Sequence, residues 1–319
     1  MKKISIMVPT YNEEGNVIPL VNAIIGQFTE FLSDYDYEIL FIDNDSKDST
    51  REKLRGLCAS NPKIKAIFNA RNYGQFSSPY YGILQATGDC VIAMCADFQD
   101  PVELIPQYVN EWESGYKIVL GQKTASKESG IKRGLRSFYY KFLRKHSDVN
   151  FIKHVTGSGL YDRGFVDVMR NIEDPKPFIR GIVAEMGHHI RLIPFDQPPR
   201  KTGKSSNGIF GYYDAGMQGL TSYTKFGVRA AVFFGTLFTL GSIAVSIGLG
   251  IYKLLNWHSF ELMGLAFNMA IFIAVSLQML FIGLVGEHVL NVSSRMKKRP
   301  LVIEAERINF SSETSEKDR

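Results

Sequence analysis

The chain has 319 residues, of which 45% are hydrophobic and 22% are charged, and its formal net charge is +5. That length suits one large domain with an appendage, or two ordinary domains. The charge is modest and no basic stripe is interleaved with aromatic residues, so the composition argues against a nucleic-acid-binding protein. The mean hydropathy is close to zero because a polar first part, up to about residue 225, is averaged with two long apolar runs.

The N-terminus and the cysteines both indicate a cytosolic environment. Only residues 4–8 are apolar before Pro9, which is too short for the apolar core of a signal peptide. Cys58, Cys90 and Cys95 form no CxxC pair and are predicted to be reduced thiols. We therefore expect the N-terminal domain to stay in the cytosol.

Strands and helices alternate along the first part of the chain. Continuously apolar runs predict strands at 4–8, 37–43, 64–68, 90–94 and 117–120. Apolar residues at helical spacing predict helices between them, at 16–32, 49–58, 76–86 and 104–112. Strands that are apolar throughout are typical of a parallel sheet covered by helices on both faces. The sequence therefore predicts an α/β fold.

The pattern is less regular between residues 148 and 199. The glycines of residues 156–159 predict a flexible loop, and residues 190–194 predict a short strand. Residues 197–206 form a basic stretch that contains glycine, which predicts a further loop.

Two long apolar runs follow. Residues 230–252 and 262–285 carry no charge, and each run is long enough to cross the hydrocarbon core of a bilayer. Soluble helices seldom stay apolar on every face over such a length. The connector 253–261 contains Trp257, a typical interface residue, and basic residues flank the outer ends of the runs. These basic residues are Lys225, Arg229, Arg295, Lys297, Lys298 and Arg299. The pattern predicts a two-helix transmembrane hairpin with both termini in the cytosol.

The predicted domain organisation has four parts. A cytosolic α/β domain occupies residues 1–205, and a juxtamembrane segment occupies residues 206–229. The two transmembrane helices lie within 230–288, and a basic and then disordered tail occupies 289–319. The stretch 207–225 is rich in Gly and Tyr, which suits either self-association into a homo-oligomer or a position on the membrane surface.

Polar residues follow four of the predicted strands, at 10–13, 43–46, 69–72 and 97–100. In a parallel sheet, ligands bind at the carboxyl ends of the strands. One such cluster alone is explained by turn chemistry, because Asn, Asp and Ser favour turns. Four clusters in series predict an active site at this edge.

The cluster after the fourth strand has the chemistry of a cation site. Asp97 and Gln99 offer oxygen ligands two residues apart, which suits a divalent metal that neutralises a leaving diphosphate. Asp100 either assists or caps a helix that begins at Pro101. Arg200 and Lys204 are candidates for contacts to the same phosphates or to a lipid phosphate, the alternative being a solvated loop.

Six motifs in this order resemble family 2 glycosyltransferases of the GT-A fold. The resemblance is to the branch that includes dolichol-phosphate mannose synthase and bacterial polyprenyl-phosphate (bactoprenol) glucosyltransferases. The motifs are residues 8–13 (VPTYNE), 42–48 (IDNDSKD), 71–74 (RNYG), 86–89 (ATGD), 96–101 (ADFQDP) and 200–205 (RKTGKS). Together with the two apolar runs they cover nearly the whole chain.

The resemblance implies a Rossmann-like GT-A fold and an inverting hexosyltransferase. The donor would be UDP-glucose or a similar nucleotide-sugar. The acceptor would be polyprenyl (undecaprenyl) phosphate at the cytosolic face of the inner membrane, in a multi-pass protein. It also implies Mg²⁺ or Mn²⁺ as the cofactor, held by Asp97 and Gln99 against the diphosphate.

The resemblance also assigns the remaining site residues. The residues that would bind the donor are Pro9, Tyr11, Glu13, Asp43, Asn72 and Asp97. The phosphate contacts would come from Arg200 and Ser205, beside Lys204. Asp97 and Arg200 would act in catalysis.

Two positions depart from the family pattern. Cys95 stands where the metal motif usually begins with Asp, and a thiol is a poor ligand for a hard cation. Bactoprenol relatives tend to place an Asp, a proposed base, near Ser158. Here the nearest carboxylate is Asp162, which is either a catalytic base or a surface or capping residue. A phosphate monoester is already anionic at neutral pH and attacks without a base.

Two alternatives follow from these departures. A hydroxyl acceptor on a lipid or glycan would require a base, most plausibly Asp162. The second alternative is a degenerate family member, a membrane protein that binds the nucleotide-sugar without turnover. Cys95 is the only residue that favours this interpretation.

Overall fold

The computed structural model describes residues 1–124, 149, 152, 155–172, 174, 177–186, 189–198, 217, 224, 226–255, 261–296 and 300–310. Within these residues the chain forms an eight-stranded sheet, helices on both of its faces, and two long helices. The strands are β1 (Lys3–Thr10), β2 (Asp36–Asp43), β3 (Ile64–Asn69), β4 (Cys90–Ala93), β5 (Ile118–Lys123), β6 (Val155–Asp162), β7 (Ile190–Phe195) and β8 (Glu304–Ile308). The helices are α1 (Val17–Phe31), α2 (Thr50–Ser60), α3 (Gly74–Gln85), α4 (Leu104–Glu113), α5 (Arg163–Arg170), α6 (Ile179–Glu185), α7 (Phe226–Leu255) and α8 (Glu261–Met296).

The sheet is mostly parallel, as the continuously apolar strands predicted. Its strand order is β7-β5-β6-β4-β1-β2-β3-β8. Strand β1 pairs in parallel with β2 and β4, β2 with β3, and β5 with β7. Strands β6 and β8 run antiparallel to their neighbours. The α/β prediction is confirmed, and the mostly parallel sheet agrees with the GT-A fold that the resemblance implies.

The alternation of side chains along each strand divides the core into two layers. In β1, Ile4 and Ile6 join a buried cluster with residues of α1, α2 and α4. Met7 points to the other face and joins a second cluster with residues of α3, α5 and α6. Both faces of β1 are therefore fully covered, which is why this strand is apolar throughout.

The segment predicted as a flexible loop at 156–159 is part of strand β6, so that prediction is wrong. Gly159 pairs with Ala93 of β4 and with Leu120 of β5. A Cβ atom added at Gly159 would lie 2.2 Å from the carbonyl oxygen of Val119. Glycine is required here by close packing between strands, whereas the sequence pattern was interpreted as a sign of flexibility.

The C-terminal part contains a strand that the sequence analysis did not predict. Strand β8 pairs with β3 at the edge of the sheet, within the stretch 289–319 that was expected to be a tail. Its alternating charges conceal it, because an edge strand needs few apolar residues. Residues 311–319 lie outside the described residues.

The two long helices occupy the predicted apolar runs. The rings of Phe234 in α7 and Phe281 in α8 stack with their centroids 6.2 Å apart. One segment of α8, Ile273–Leu290, is long and apolar enough to cross a membrane, with a mean hydropathy of 1.8. Within the described residues the first predicted run, 230–252, yields no second candidate, so the two-helix hairpin stays a prediction.

A buried carboxylate joins the amino ends of four strands. Glu38 of β2 is 1% exposed and accepts hydrogen bonds from Ser5 Oγ at 2.6 Å and from the Thr87 backbone nitrogen at 2.6 Å. The ammonium groups of Lys3 and Lys65 each lie 2.8 Å from its Oε2. Burial alone would raise the pKa of Glu38, but these hydrogen bonds outweigh it and hold the pKa far below its usual range.

We predict that Glu38→Gln lowers the free energy of unfolding by about 3 kcal/mol at neutral pH, because it leaves two ammonium groups without their counter-charge. Since the folded-state pKa of Glu38 is depressed, its stabilisation is present above the unfolded-state pKa of about 4.3 and is lost as the pH falls further. Thermal unfolding of the purified protein between neutral and acidic pH measures both effects.

The matched control is Asp36→Asn on the same strand. Asp36 pairs with Lys63 at 2.6 Å, but both side chains are exposed, so this substitution costs less than about 1 kcal/mol. Equal destabilisation by the two substitutions would contradict a special role for the buried carboxylate.

Candidate active site at the carboxyl edge of the sheet

The polar segments that follow β1 to β4 lie side by side at one edge of the sheet, which we call the carboxyl edge. Thr10, the last residue of β1, is in register with Asp43, the last residue of β2. Asp43 is in turn in register with Phe68, next to the end of β3. The structure therefore brings together the clusters that the sequence places about 30 residues apart.

The loops after β1 and β2 interlock through backbone groups. The Asn12 nitrogen donates to Ser46 Oγ at 2.9 Å, and the Lys47 nitrogen donates to Asn12 Oδ1 at 2.7 Å. Asn12 and Asp45 both adopt positive φ, at 56° and 68°. Asn and Asp tolerate this conformation better than other residues with side chains, so the sequence fits these two tight turns.

Asp43 organises the edge from a fully buried position. Its Oδ1 accepts from the Ser46 hydroxyl, and its Oδ2 accepts from the Ser46 nitrogen at 3.1 Å and from Arg51 Nε at 2.6 Å. Arg51 Nη2 also donates to the carbonyl of Asn69 at 2.6 Å. Both carboxylate oxygens of Asp43 are thus engaged within the protein, and one guanidinium joins the ends of β2 and β3.

Asn44 connects the same two strand ends to the start of α3. Its Oδ1 accepts from Asn69 Nδ2 at 3.1 Å and from the Tyr73 nitrogen at 2.8 Å. Its Nδ2 donates to Asn72 Oδ1 at 2.9 Å and to the Gly74 carbonyl at 3.1 Å. Asn72, a predicted donor-binding residue, is therefore held in place by an amide that the prediction did not name.

The other predicted donor-binding residues follow β1. Pro9 is half-buried within the strand, and the Tyr11 side chain is 37% exposed. Glu13 is 8% exposed and accepts from Asn16 Nδ2 at 2.6 Å, while its nitrogen donates to Thr50 Oγ1 at 2.9 Å. Of these residues, Tyr11 offers the largest surface to a ligand, and Glu13 fixes the entry into α1.

The segment after β4 forms an acidic turn, residues 95–100, at the carboxyl edge. Asp97 is 7% exposed and its Oδ1 accepts from the Gln99 nitrogen at 3.1 Å. Phe98 between them has a φ of 58°. The predicted metal ligands Asp97 and Gln99 thus belong to the same tight turn, one on each side of Phe98.

Asp100 closes the acidic turn. Its Oδ2 accepts from the Cys95 nitrogen at 3.0 Å, and Ser158 of β6 adds a hydrogen bond to the carboxyl group. Burial and then the nearby charge of Asp97 raise the pKa of Asp100, against the effect of these hydrogen bonds. Helix α4 begins at Leu104 with Glu103 as its N-cap, so the alternative that Asp100 caps this helix is wrong.

Cys95 has an exposed side chain but little thiolate character. The charges of Asp100 and Asp97 raise the pKa of its thiol well above the usual value. Sulfur is in any case a poor ligand for a hard cation. Within the described residues no group of three His, Cys, Asp or Glu side chains is arranged around a common point.

Asp162 lies at the opposite edge of the sheet. It is in register with Cys90, the first residue of β4, whereas the acidic turn follows the last residue of that strand. Its Oδ1 accepts from the Gly164 nitrogen at 3.0 Å and caps α5, and its Oδ2 accepts from Trp112 Nε1 at 2.8 Å. Asp162 is therefore a capping residue, one of the alternatives that the sequence left open. Its position at the opposite edge does not support the role of catalytic base.

Three predicted phosphate-binding residues, Arg200, Lys204 and Ser205, lie outside the described residues. In contrast, Arg51 and Asn44 lie at this edge although the sequence analysis gave them no role, and Ser158, which it named only as the place near which relatives carry an Asp, bonds Asp100. Asn44 was visible as part of the second cluster. The contacts of Arg51 and Ser158 have no local signal, because Arg51 lies in the first turn of α2 and Ser158 lies on a strand more than 50 residues after the acidic turn.

Comparison with known proteins agrees with this geometry. Residues 5–166 match the family model described as glycosyl transferase family 2. The chain is 29% identical over 297 residues to the putative glycosyltransferase CsbB of Bacillus subtilis (strain 168), covering 93% of this chain and 89% of the relative. It is 28% identical over 305 residues to the prophage bactoprenol glucosyl transferase homolog of Escherichia coli (strain K12), covering 94% and 98%.

Among solved structures, the mannosyltransferase PcManGT from Pyrobaculum calidifontis, in complex with GDP-Man and Mn²⁺, aligns with a TM-score of 0.46 and 13% identity. That alignment covers 90% of this chain and 87% of the mannosyltransferase. The family match itself spans β1 to the start of α5 and so includes all four strand ends of the carboxyl edge. The chain belongs to glycosyl transferase family 2 and is a glycosyltransferase.

Proposed function

We propose that this enzyme transfers a hexose, with inversion, from UDP-glucose or a similar nucleotide-sugar to polyprenyl (undecaprenyl) phosphate at the cytosolic face of the inner membrane. The observation that carries the proposal is the acidic turn at the carboxyl edge, which lies beside the interlocked ends of β1, β2 and β3. The similarity over 94% of the chain to a relative named for bactoprenol and glucose supports the choice of acceptor and sugar.

The donor pocket is the carboxyl edge between the first and third strands. Asp43, Arg51 and Asn44 hold its loops through hydrogen bonds within the protein, so that the pocket is ordered before the nucleotide arrives. Tyr11 and Asn72 present exposed side chains to the nucleotide. Preorganised loops reduce the entropy lost on binding.

A divalent cation, Mg²⁺ or Mn²⁺, fits the acidic turn if most of its ligands come from elsewhere. Mg²⁺ is usually bound by one or two carboxylates, substrate phosphates and several waters. Asp97 supplies one carboxylate and Gln99 one amide oxygen, while Cys95 supplies none. When bound, the cation would neutralise the charge that develops on the leaving diphosphate. Arg200, Lys204 and Ser205 are proposed to contact phosphate from the loop that follows β7.

The acceptor is proposed to be a phosphate because no base is then required. A phosphate monoester carries its negative charge at neutral pH, so its oxygen attacks the anomeric carbon directly. A hydroxyl acceptor would need a base, and Asp162, the carboxylate that the sequence analysis offered for that role, caps α5 at the opposite edge. Helices α7 and α8 are proposed to form the transmembrane hairpin that brings the enzyme to the lipid. Self-association through 207–225 stays a sequence prediction.

The proposal is tested by incubating the purified protein with polyprenyl phosphate, labelled UDP- and GDP-sugars, and Mg²⁺ or Mn²⁺. We expect an acid-labile labelled lipid that disappears with EDTA. Asp97→Asn is expected to lower its rate of formation by about 100-fold, as for other preorganised electrostatic contacts. The control Asp167→Asn removes an exposed carboxylate of α5 and leaves the rate unchanged.

Other outcomes of this assay distinguish the alternatives. Donor hydrolysis without a labelled lipid phosphate would indicate a hydroxyl acceptor. The absence of both lipid product and hydrolysis with every donor would indicate a family member that binds the nucleotide-sugar without turnover.

A second prediction concerns Arg51. Arg51→Lys keeps the charge but cannot bind the Asp43 carboxylate and the Asn69 carbonyl together, because the ammonium group lacks the planar fork. We expect the affinity for the nucleotide-sugar to fall by about tenfold, which corresponds to about 1.4 kcal/mol. Arg170→Lys, on the opposite edge, is the matched control. Calorimetric titration of both variants with the donor measures the difference, and equal affinities would contradict a role for Arg51 in the pocket.

A third prediction separates the two classes of acceptor. Asp162→Asn leaves one acceptor oxygen for two donors, the Gly164 nitrogen and Trp112 Nε1, and it also loses the ion pair with Lys117, whose Nζ lies 3.2 Å from Oδ2. We expect the free energy of unfolding to fall by about 1–3 kcal/mol, with the transfer rate unchanged. A loss of about 100-fold or more, the size expected for general-base catalysis, would revive the hydroxyl-acceptor alternative.

A further inference from the structure

The C-terminal strand β8 returns to the catalytic domain after the long helix α8. It pairs antiparallel with β3, so its first residue, Glu304, lies opposite Asn69, the last residue of β3. The backbone nitrogen of Ala70, the next residue, donates to the carbonyl of Ile303 at 2.9 Å. The chain that leaves α8 therefore enters the sheet at the carboxyl edge, next to the donor pocket.

Hydrogen bonds from side chains connect β8 and the residue after it to the rest of the domain. Arg55 of α2 donates to both oxygens of Glu306, with Nη2 at 2.6 Å from Oε2. Arg307 Nη2 donates to Gln85 Oε1 at 2.7 Å, and Asn309 Nδ2 donates to the carbonyls of Cys58 and Ile64 at 2.7 and 2.8 Å. These contacts reach α2, α3 and the start of β3, which makes β8 an integral part of the domain.

The contacts of β8 also extend to residues of the donor pocket. The guanidinium of Arg55, held by Glu306, lies 4.9 Å from the centre of the Phe68 ring. Arg51, which binds Asp43, lies 5.6 Å from the centre of the same ring. The end of β3 is thus packed between the pocket and the tail strand.

Only a short stretch of chain separates α8 from this docked segment. Helix α8 ends at Met296, and the tail is packed against the domain from Leu301 onwards, where Val302 is 5% exposed. Residues 297–300 can bridge at most about 18 Å even when fully extended. The uncharged run of the sequence ends at residue 285 and the candidate span at Leu290, so the helix from there to Met296 adds between about 9 and 17 Å.

This reach is small compared with the domain. A domain of about 200 residues has a radius of gyration of about 17 Å and therefore a diameter of about 43 Å as a uniform sphere. A connection of about 27–35 Å from the end of the apolar run is shorter than that diameter, so it cannot pass around such a domain. Strand β7 also ends at the carboxyl edge, so the chain toward α7 leaves from the same side.

We propose that β8 and the residues 300–303 before it form a tether that holds the carboxyl edge, with the donor pocket, facing the membrane end of α8. The tether keeps the acidic turn within reach of a lipid headgroup and prevents the domain from turning its opposite edge to the bilayer. This inference rests on the proposed membrane location of α8.

The experiment measures orientation directly, without activity. Lys47 follows β2 at the carboxyl edge, whereas Lys63 precedes β3 at the opposite edge, and both side chains are exposed. A dye is attached to Lys47→Cys or Lys63→Cys in a Cys95→Ser background, and the protein is placed in lipid nanodiscs with acceptor dyes on the headgroups. Because β3 is about 20 Å long, we expect clearly stronger energy transfer from position 47.

The tether itself is tested by lengthening the chain before it. About 20 glycine and serine residues, with a root-mean-square span of about 25 Å, are inserted after Arg299. We expect the difference between positions 47 and 63 to disappear. The same insertion after Phe310, beyond β8, is the matched control and leaves the difference intact. Equal energy transfer from both positions in the unmodified chain, no effect of the insertion after Arg299, or failure of the protein to enter nanodiscs would each overturn the proposal.

Transfer activity gives a second readout. The insertion after Arg299 is expected to lower transfer to polyprenyl phosphate in the bilayer by about tenfold, because it lowers the effective concentration of the site at the membrane. The affinity for the nucleotide-sugar stays within about twofold, since β8 remains docked. If no form of the protein transfers sugar to lipid phosphate but the energy-transfer pattern is as expected, the proposed function fails and the tether stands.

Discussion

Parallel pairing of β1 with β2 and β4, and of β2 with β3, is the constraint on which the active site depends. Parallel strands cannot be joined by hairpins, so every connection leaves from one edge, crosses a face as a helix and returns at the other. Segments that are distant in sequence therefore end next to one another. In this arrangement the polar residues at the strand ends are partly buried. Each of their buried polar groups therefore needs a hydrogen-bond partner.

The hydrogen bonds of Asp43 and Asn44 meet that requirement. Asp43 is fully buried, and its carboxylate is compensated by Arg51 and Ser46. A buried carboxylate without such partners would be strongly destabilising. The same groups that satisfy the buried polar atoms also fix the loops that would hold the nucleotide, so stability and preorganisation of the pocket have one physical origin.

The two edges of the sheet differ in the surroundings of their polar side chains. At the amino ends, Glu38 and Asp162 are engaged with lysines, backbone nitrogens and Trp112, and their contacts connect strands or cap a helix. At the carboxyl ends, Tyr11 and Gln99 keep part of their surface open to solvent. Residue type alone therefore does not decide what a carboxylate does, because Asp43 at the carboxyl edge is as fully engaged within the protein as Glu38 at the amino ends.

The sequence by itself determined the α/β class, the first five strands and the helices between them, because continuously apolar strands and helical spacing are local signals. It also determined the four polar clusters and the family motifs, which led to Asp97, Gln99 and Asn72. Only the tertiary structure decided what depends on contacts between distant segments. Residues 156–159 are a strand because Gly159 fits closely between β4 and β5, and 304–308 is a strand because β3 offers a free edge. Arg51 and Ser158 lie at the carboxyl edge and Asp162 lies at the opposite edge, because the surroundings of a side chain depend on how distant strands and helices pack together, which no local pattern encodes.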